Sequence, residues 1–203
     1  MPIRFVKYGF YFFAVLLFFA CKQQPKFKKG DIYFEEVGWT LNFPKEYNFQ
    51  NKEQIDSLQK ATLKKIDKSK SIDTKIVPYK TLFFILEPNF NGFNSTIEKY
   101  DPNEFRYWED LYNADKISIL KAMETQKGNL IIEDSASSVE IIDGIKFQKF
   151  YLKTFIPTKD IRMKTYWYAT EVNHYNFDIN ISFVDESKGS EYFKILHNSK
   201  FNY

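Results

Sequence analysis

From Tyr175 to Val184 two kinds of residue alternate: Tyr175, Phe177, Ile179, Ile181 and Phe183 are interleaved with Asn176, Asp178, Asn180 and Ser182. Side chains on a strand point alternately to opposite faces, so this stretch sends five apolar groups to one side of a sheet and four polar groups to the other. A helix would scatter both kinds around its circumference. The segment is therefore read as a half-buried antiparallel strand, and the rest of the chain as material that completes its sheet and covers its apolar face.

The chain has 203 residues, enough for one domain with a sizeable core once a leader is set aside. Its 22 Phe and 14 Tyr against 7 Gly and 7 Pro supply the apolar area that a disordered chain lacks. Upstream of the organising strand, Asp31 to Glu36 reads as a first strand, and Trp39, Leu41 and Phe43 alternate after Gly38 until Pro44 stops them. Asn51 with Gln54 is a capping-box signal for a helix carrying Ile55, Leu58, Thr62 or Leu63, and Ile66 on one face. The continuous run Thr81 to Leu86 predicts a central strand covered on both faces, Asn91-Gly92 a turn, and Asn94 to Tyr100 a returning strand. Asp101-Pro102-Asn103-Glu104 has the residues of a helix start, and the helix would carry Phe105, Trp108, Leu111 or Tyr112, Ile117, Leu120 and Met123 as far as Gly128, with a kink or break at Asn113 to Asp115.

After Gly128 the pattern is mainly β. Leu130 to Ile132 is a short strand and Asp134 to Ser138 a Ser-rich connector; Val139 to Ile142 and Ile145 to Ile156 form a hairpin about Asp143-Gly144. Pro157 to Asp160 turns, Met163 to Val172 is a long aromatic strand, and Asn173-His174 turns into the organising strand. A last helix begins at Asp185 to Gly189, with Tyr192, Phe193 and Leu196 on one face. The fold class expected is α+β: an antiparallel sheet with helices packed on it.

The front of the chain carries an address. Arg4 and Lys7 precede an unbroken apolar run from Phe10 to Ala20, and Cys21 closes it. Eleven residues span roughly 16 Å as a helix, about half the hydrocarbon thickness of a bilayer. The junction Phe18-Phe19-Ala20-Cys21 resembles the lipobox of bacterial lipoproteins, with Phe18 where Leu is usual. The resemblance implies a signal peptide over 1–20, cleavage before Cys21, acylation of its thiol and a lipid-anchored place in the bacterial cell envelope; an uncleaved anchor helix is the alternative. Residues 21–30 then form the lipidated cysteine and a basic tether holding Lys22, Lys26, Lys28 and Lys29, read as a solvated linker or as a contact for anionic headgroups. Residues 31–203 form one globular domain. The formal charge of +3 falls to +1 without Arg4 and Lys7, which is no field for nucleic acid.

The order of elements resembles the PsbP-like α/β/α sandwich, on the residues Gly38-Trp39-Thr40-Leu41-Asn42-Phe43-Pro44-Lys45-Glu46-Tyr47, the hairpin leg Asn91 to Ile97, and the closing stretch Tyr192 to Phe201. That family includes a photosystem II extrinsic subunit, a Ran-binding nuclear transport factor and small bacterial lipoproteins. The resemblance implies a binding or assembly protein rather than an enzyme, with no site residue carried over.

The residues suggest little chemistry of their own. Cys21 is the single cysteine, so no intramolecular disulfide forms, and His174 and His197 are the two histidines, each alone in sequence; no metal or cofactor is expected. His197 is expected to meet the carbonyls that end the last helix. Nucleophile elbows and phosphate-cradling glycine loops are absent, and Glu35-Glu36 and Asp185-Glu186 read as hydrated surface charge. The candidate binding surface is Tyr166, Trp167 and Tyr168 with His174: Trp167 points away from its two neighbours, and if no helix covers it the aromatic face is open to a partner. The expected function is a lipid-anchored envelope protein that binds another envelope component. A lipid or small-molecule carrier and a carboxylate hydrolase are the rivals.

Overall fold

The computed structural model describes residues 30–45, 47, 49–50, 79–124 and 129–202. The leader, Cys21, the tether and the helix expected from Asn51 to Ile66 lie outside the described residues. In chain order the elements are β1 (Asp31–Phe34), a 3-10 turn at Glu35–Val37, β2 (Trp39–Asn42), β3 (Lys80–Glu87), β4 (Asn91–Lys99), α1 (Trp108–Glu124), β5 (Ile131–Ile142), β6 (Ile145–Ile156), a second 3-10 turn at Pro157–Lys159, β7 (Ile161–Val172), β8 (Tyr175–Phe183), α2 (Glu186–His197) and β9 (Lys200–Phe201). A six-stranded sheet runs β3-β4-β8-β7-β6-β5 and a three-stranded sheet β1-β2-β9, with antiparallel neighbours in both.

The organising strand β8 sits inside the larger sheet, with Ile179 opposite Ser95 of β4 on one side and Tyr168 of β7 on the other. Its apolar side chains Phe177, Ile179, Ile181 and Phe183 join the main core, which the small sheet and α2 cover with Trp39, Leu41, Tyr192, Leu196 and Phe201. Burying each such side chain contributes about 1.5–3 kcal/mol. On the opposite face α1 lays Trp108, Leu111 and Tyr112 over Phe150, Leu152, Trp167 and Ala169. The spacing of those three helix residues, i, i+3 and i+4, is what puts them on one side.

Several local expectations need correction. Asn91-Gly92 is not the turn: Pro88 to Phe90 is, with Asn89 and Phe90 in the left-handed region at φ 61° and 63°. Asn91 opens β4 because its side chain is used elsewhere, with Oδ1 accepting from the Val184 and Asp185 amides at 3.1 and 3.2 Å and Nδ2 donating to the Pro88 carbonyl at 2.8 Å. β3 is not central but ends the larger sheet. A shift of register between Thr81 and Phe83 breaks its alternation, and Leu86 is 47 % exposed.

The helix start at Asp101 is also displaced, to Trp108. The Asp101 carbonyl and carboxylate are consumed by a local turn, accepting from the Glu104 and Phe105 amides and from the Asn103 amide. The Tyr100 hydroxyl donates to the Phe105 carbonyl at 2.6 Å, engaging an oxygen that a helix through this point would use. From Trp108 the helix runs without a break past Asn113 to Asp115. Asp134 to Ser138, expected as a connector, is the middle of the continuous strand β5. Backbone pairing with β6 holds it there, and its small polar side chains need no cover.

Two glycines set how closely the layers approach. At Gly38, φ is 60° and a Cβ would meet the Asn202 carbonyl oxygen at 2.4 Å, so only glycine lets the end of the chain close against β2. At Gly189 of α2 a Cβ would meet the Phe183 ring at 2.6 Å. Gly189→Ala should therefore lift α2 from β8 and destabilise the fold by about 1–3 kcal/mol, despite alanine's better helix propensity. A urea-unfolding midpoint equal to that of the parent would contradict this packing.

Candidate functional site

On the α1 side one indole joins the helix to a polar atom of the sheet and a second bonds within the sheet, from β7 to β8. The indole of Trp108 donates to Asn176 Oδ1 at 2.9 Å, and that of Trp167 donates to Asp178 Oδ1 at 2.8 Å. Asn176 Nδ2 in turn lies 3.3 Å from Asp178 Oδ2. The rings of Trp108, Tyr112 and Trp167 stack in sequence, with centroids 5.8 and 4.9 Å apart. The polar side of β8 is thus a platform that receives the helix.

Burial beneath α1 pushes the Asp178 carboxyl up to about 7. The Trp167 indole pulls it down in part, and the charges of Asp115 and Glu98 raise it further. Asp115, on the same helix face as Trp108 two turns earlier, is raised to about 6 by burial. Glu98 of β4 is raised by burial and then by Asp115 and Glu104. Among the described residues no three His, Cys, Asp or Glu side chains are grouped so as to hold a metal ion.

At the N-terminal end of α1 the surface opens into a cleft of about 390 Å³. Tyr100, Tyr107 and Trp108 give it aromatic walls, Glu109 and Glu171 two carboxylates, and Arg106 and Lys146 two cations. The Arg106 guanidinium lies 5.3 Å from the centre of the Tyr107 ring, which is 56 % exposed. Thr170 Oγ1 donates to the Lys146 carbonyl at 2.9 Å and fixes the floor between β6 and β7. The Tyr100 hydroxyl is held above its usual range by burial and by Glu171, Glu109, Asp110 and Asp101. Charges of both signs beside aromatic faces suit a polar ligand that carries both, or a charged loop of a protein.

The residues singled out in the sequence do not form one surface. Trp167 is 6 % exposed, covered by α1 and stacked under Tyr112. Tyr168 is fully buried on the opposite face, its hydroxyl 3.3 Å from Glu140 Oε2. Tyr166 is half-buried on that same face, edge-on to Phe193 at 4.9 Å. His174 stands at the β7–β8 turn with its side chain 94 % exposed and its Nδ1 3.9 Å from Glu171. His197 does not close the helix end as expected. Its Nε2 lies 2.6 Å from Glu140 Oε1, and its ring stacks on Phe193. Burial alone would raise Glu140, but bonds from Lys149 and His197 bring it below its usual range. This network ties β5 to α2.

The cleft residues share no periodicity because they come from three separate stretches of the chain, 100–109, 146–148 and 170–171. Asp178 was visible as a polar member of the β8 alternation, and Asp115 falls seven residues after Trp108; what no spacing showed is that both carboxyls are buried and the charge of one bears on the other.

No protein-family description matches the chain, and no curated protein matches it. Among solved structures it is similar to the solution structure of cyanobacterial PsbP, CyanoP, from Synechocystis, with a TM-score of 0.52 and 7 % identity, over 84 % of this chain and 91 % of that one. That likeness is one of fold: antiparallel sheets with helices packed on them, in the PsbP-like arrangement.

The carboxyl at Asp178 sets a pH dependence. Its folded value lies above that of the unfolded chain, so its contribution to stability is present in full below about 4 and is lost as pH rises through about 7. Asp178→Asn keeps an oxygen for Trp167 and removes the charge. It should stabilise the protein by about 1–3 kcal/mol at pH 8 and by little at pH 4, read as urea unfolding by tryptophan fluorescence. An equal effect at both pH values would contradict the assignment.

Proposed function

We propose that this protein is a lipid-anchored component of the bacterial cell envelope whose PsbP-like domain is a non-catalytic binding or assembly module. The observation that carries the reading is Cys21, the single cysteine of the chain, closing an eleven-residue apolar run and opening a basic, polar tether. Several acyl chains on that residue, at about 0.8 kcal/mol per methylene, make the anchor effectively permanent. The cleft beside α1 supports a binding role for the domain, because its mixed charges and exposed Tyr107 offer a partner both polar and aromatic contacts.

A second reading, a carrier of a small polar ligand, draws on the volume of the same cleft. Saturable binding of such a ligand that Lys146→Glu abolishes would favour the carrier. Recovery of a stoichiometric envelope protein from detergent-solubilised membranes, lost in the same variant, favours the assembly module.

The anchor has its own test. Cys21→Ser should abolish incorporation of labelled palmitate and move the domain from the membrane to the soluble fraction. Full retention in the membrane with no label in either form would contradict lipidation.

A further inference from the structure

β5 ends the six-stranded sheet, and the backbone edge it turns away from β6 has no strand paired to it among the described residues. Folded proteins protect such edges with lysine, proline, bulges or cover, because a bare edge is a template for another strand. Here a shift of register between Ile132 and Asp134 interrupts one end, but Ser135 to Ile142 carries neither lysine nor proline. Its centre is small, Ser-Ala-Ser-Ser, and two aliphatic side chains beyond it stand out, Val139 at 51 % and Ile141 at 71 % exposure.

We propose that this edge is where two copies of the chain associate: β5 pairs antiparallel with β5 of a second copy along Ser135 to Ile141, about a two-fold axis at Ser138, joining the two six-stranded sheets.

Charge argues for a second copy over a charged peptide. Glu140 is already held by Lys149 and His197, and Glu133 by Lys153 and Arg162, so the chain neutralises these edge carboxylates itself. A basic segment would gain only Asp134 there, whereas a strand as small at its centre as β5, with Glu133 and Glu140 already paired within their own chain, fits. Antiparallel pairing of identical strands is self-complementary and closes at two.

The side chains then choose the register. An axis at Ser137 would bring Asp134 up to Glu140 of the other copy and crowd a second carboxylate onto the Lys149 and His197 that already hold Glu140. An axis at Ser138 sets Ser137 beside Val139 and Ser135 beside Ile141. The exposed aliphatics of both copies then gather on the α1 side of the joined sheet.

The full-length chain, solubilised in detergent, tests this by light scattering and thiol crosslinking. The parent should have twice the mass of one chain, and Val139→Lys, at an exposed position that leaves the fold intact, should raise the dissociation constant by about tenfold or more. Ser138→Cys should form a disulfide-linked dimer under mild oxidation, because directly opposed positions on paired strands have Cβ atoms about 5 Å apart. Asp134→Cys, four residues from the axis, should not. A parent that is monomeric, a dimer indifferent to Val139→Lys, or crosslinking through Asp134→Cys but not Ser138→Cys would each overturn the proposal.

Discussion

The structure depends on β8 being used on all four sides. Its two edges are paired, to β4 and β7, and its two faces carry opposite chemistry to two different layers. The apolar face settles what lies above it: Phe177, Ile179 and Ile181 are fully buried, which requires a covering layer as greasy as the small sheet and α2. The polar face sets a different demand. Asn176 and Asp178 lose water beneath α1, and a buried acceptor without a donor costs about 1–3 kcal/mol. The indoles of Trp108 and Trp167 supply those donors. Tryptophan suits the position because it adds a large apolar area and a single N–H in one side chain.

The two layers are therefore held differently. On the α2 side the contact is close and nearly dry: Gly189 lets the helix meet Phe183, Asp185 caps its first turn by accepting from the Ser187 amide at 2.8 Å, and Tyr192 and Leu196 are fully buried. Asp143 fastens the end of the chain from the β5–β6 turn, accepting from the Phe201 amide at 2.7 Å and pairing with Lys200 at 2.6 Å. On the α1 side only Trp108, Leu111 and Tyr112 are buried, Ile117 is 50 % exposed, and carboxyl groups lie under the helix. Local stability follows buried apolar contact, so α1 is the layer that opens first. The cleft lies at the N-terminal end of that layer.

Much of the architecture could be read from residue patterns because it rests on local rules. Alternation gave β8, Asp143-Gly144 gave the β5–β6 hairpin, and Asp185 gave the start of α2. The PsbP-like order of elements was legible for the same reason. The misreadings arose where tertiary contacts took over local groups. Asn91 looked like a turn residue but serves the β8–α2 junction, Asp101 looked like a helix cap but closes a shorter turn, and Thr81 to Leu86 looked central because apolar continuity does not reveal which edge of a sheet a strand occupies. The site was the least legible part. Trp167 was correctly set opposite Tyr166 and Tyr168, but whether a helix lies over it depends on where Trp108 and Tyr112 dock, and the cleft joins residues from separate stretches that share no periodicity.

Residue-resolved hydrogen exchange in the native protein tests most directly whether β8 is the centre and α1 the looser layer. The account predicts that amides of β8 paired to β4 and β7 exchange only with global unfolding, while those of α1 exchange through a smaller opening that leaves β8 protected. Exchange of α1 and β8 amides in a single cooperative step, or faster exchange in β8 than in β3 at the end of the sheet, would contradict it.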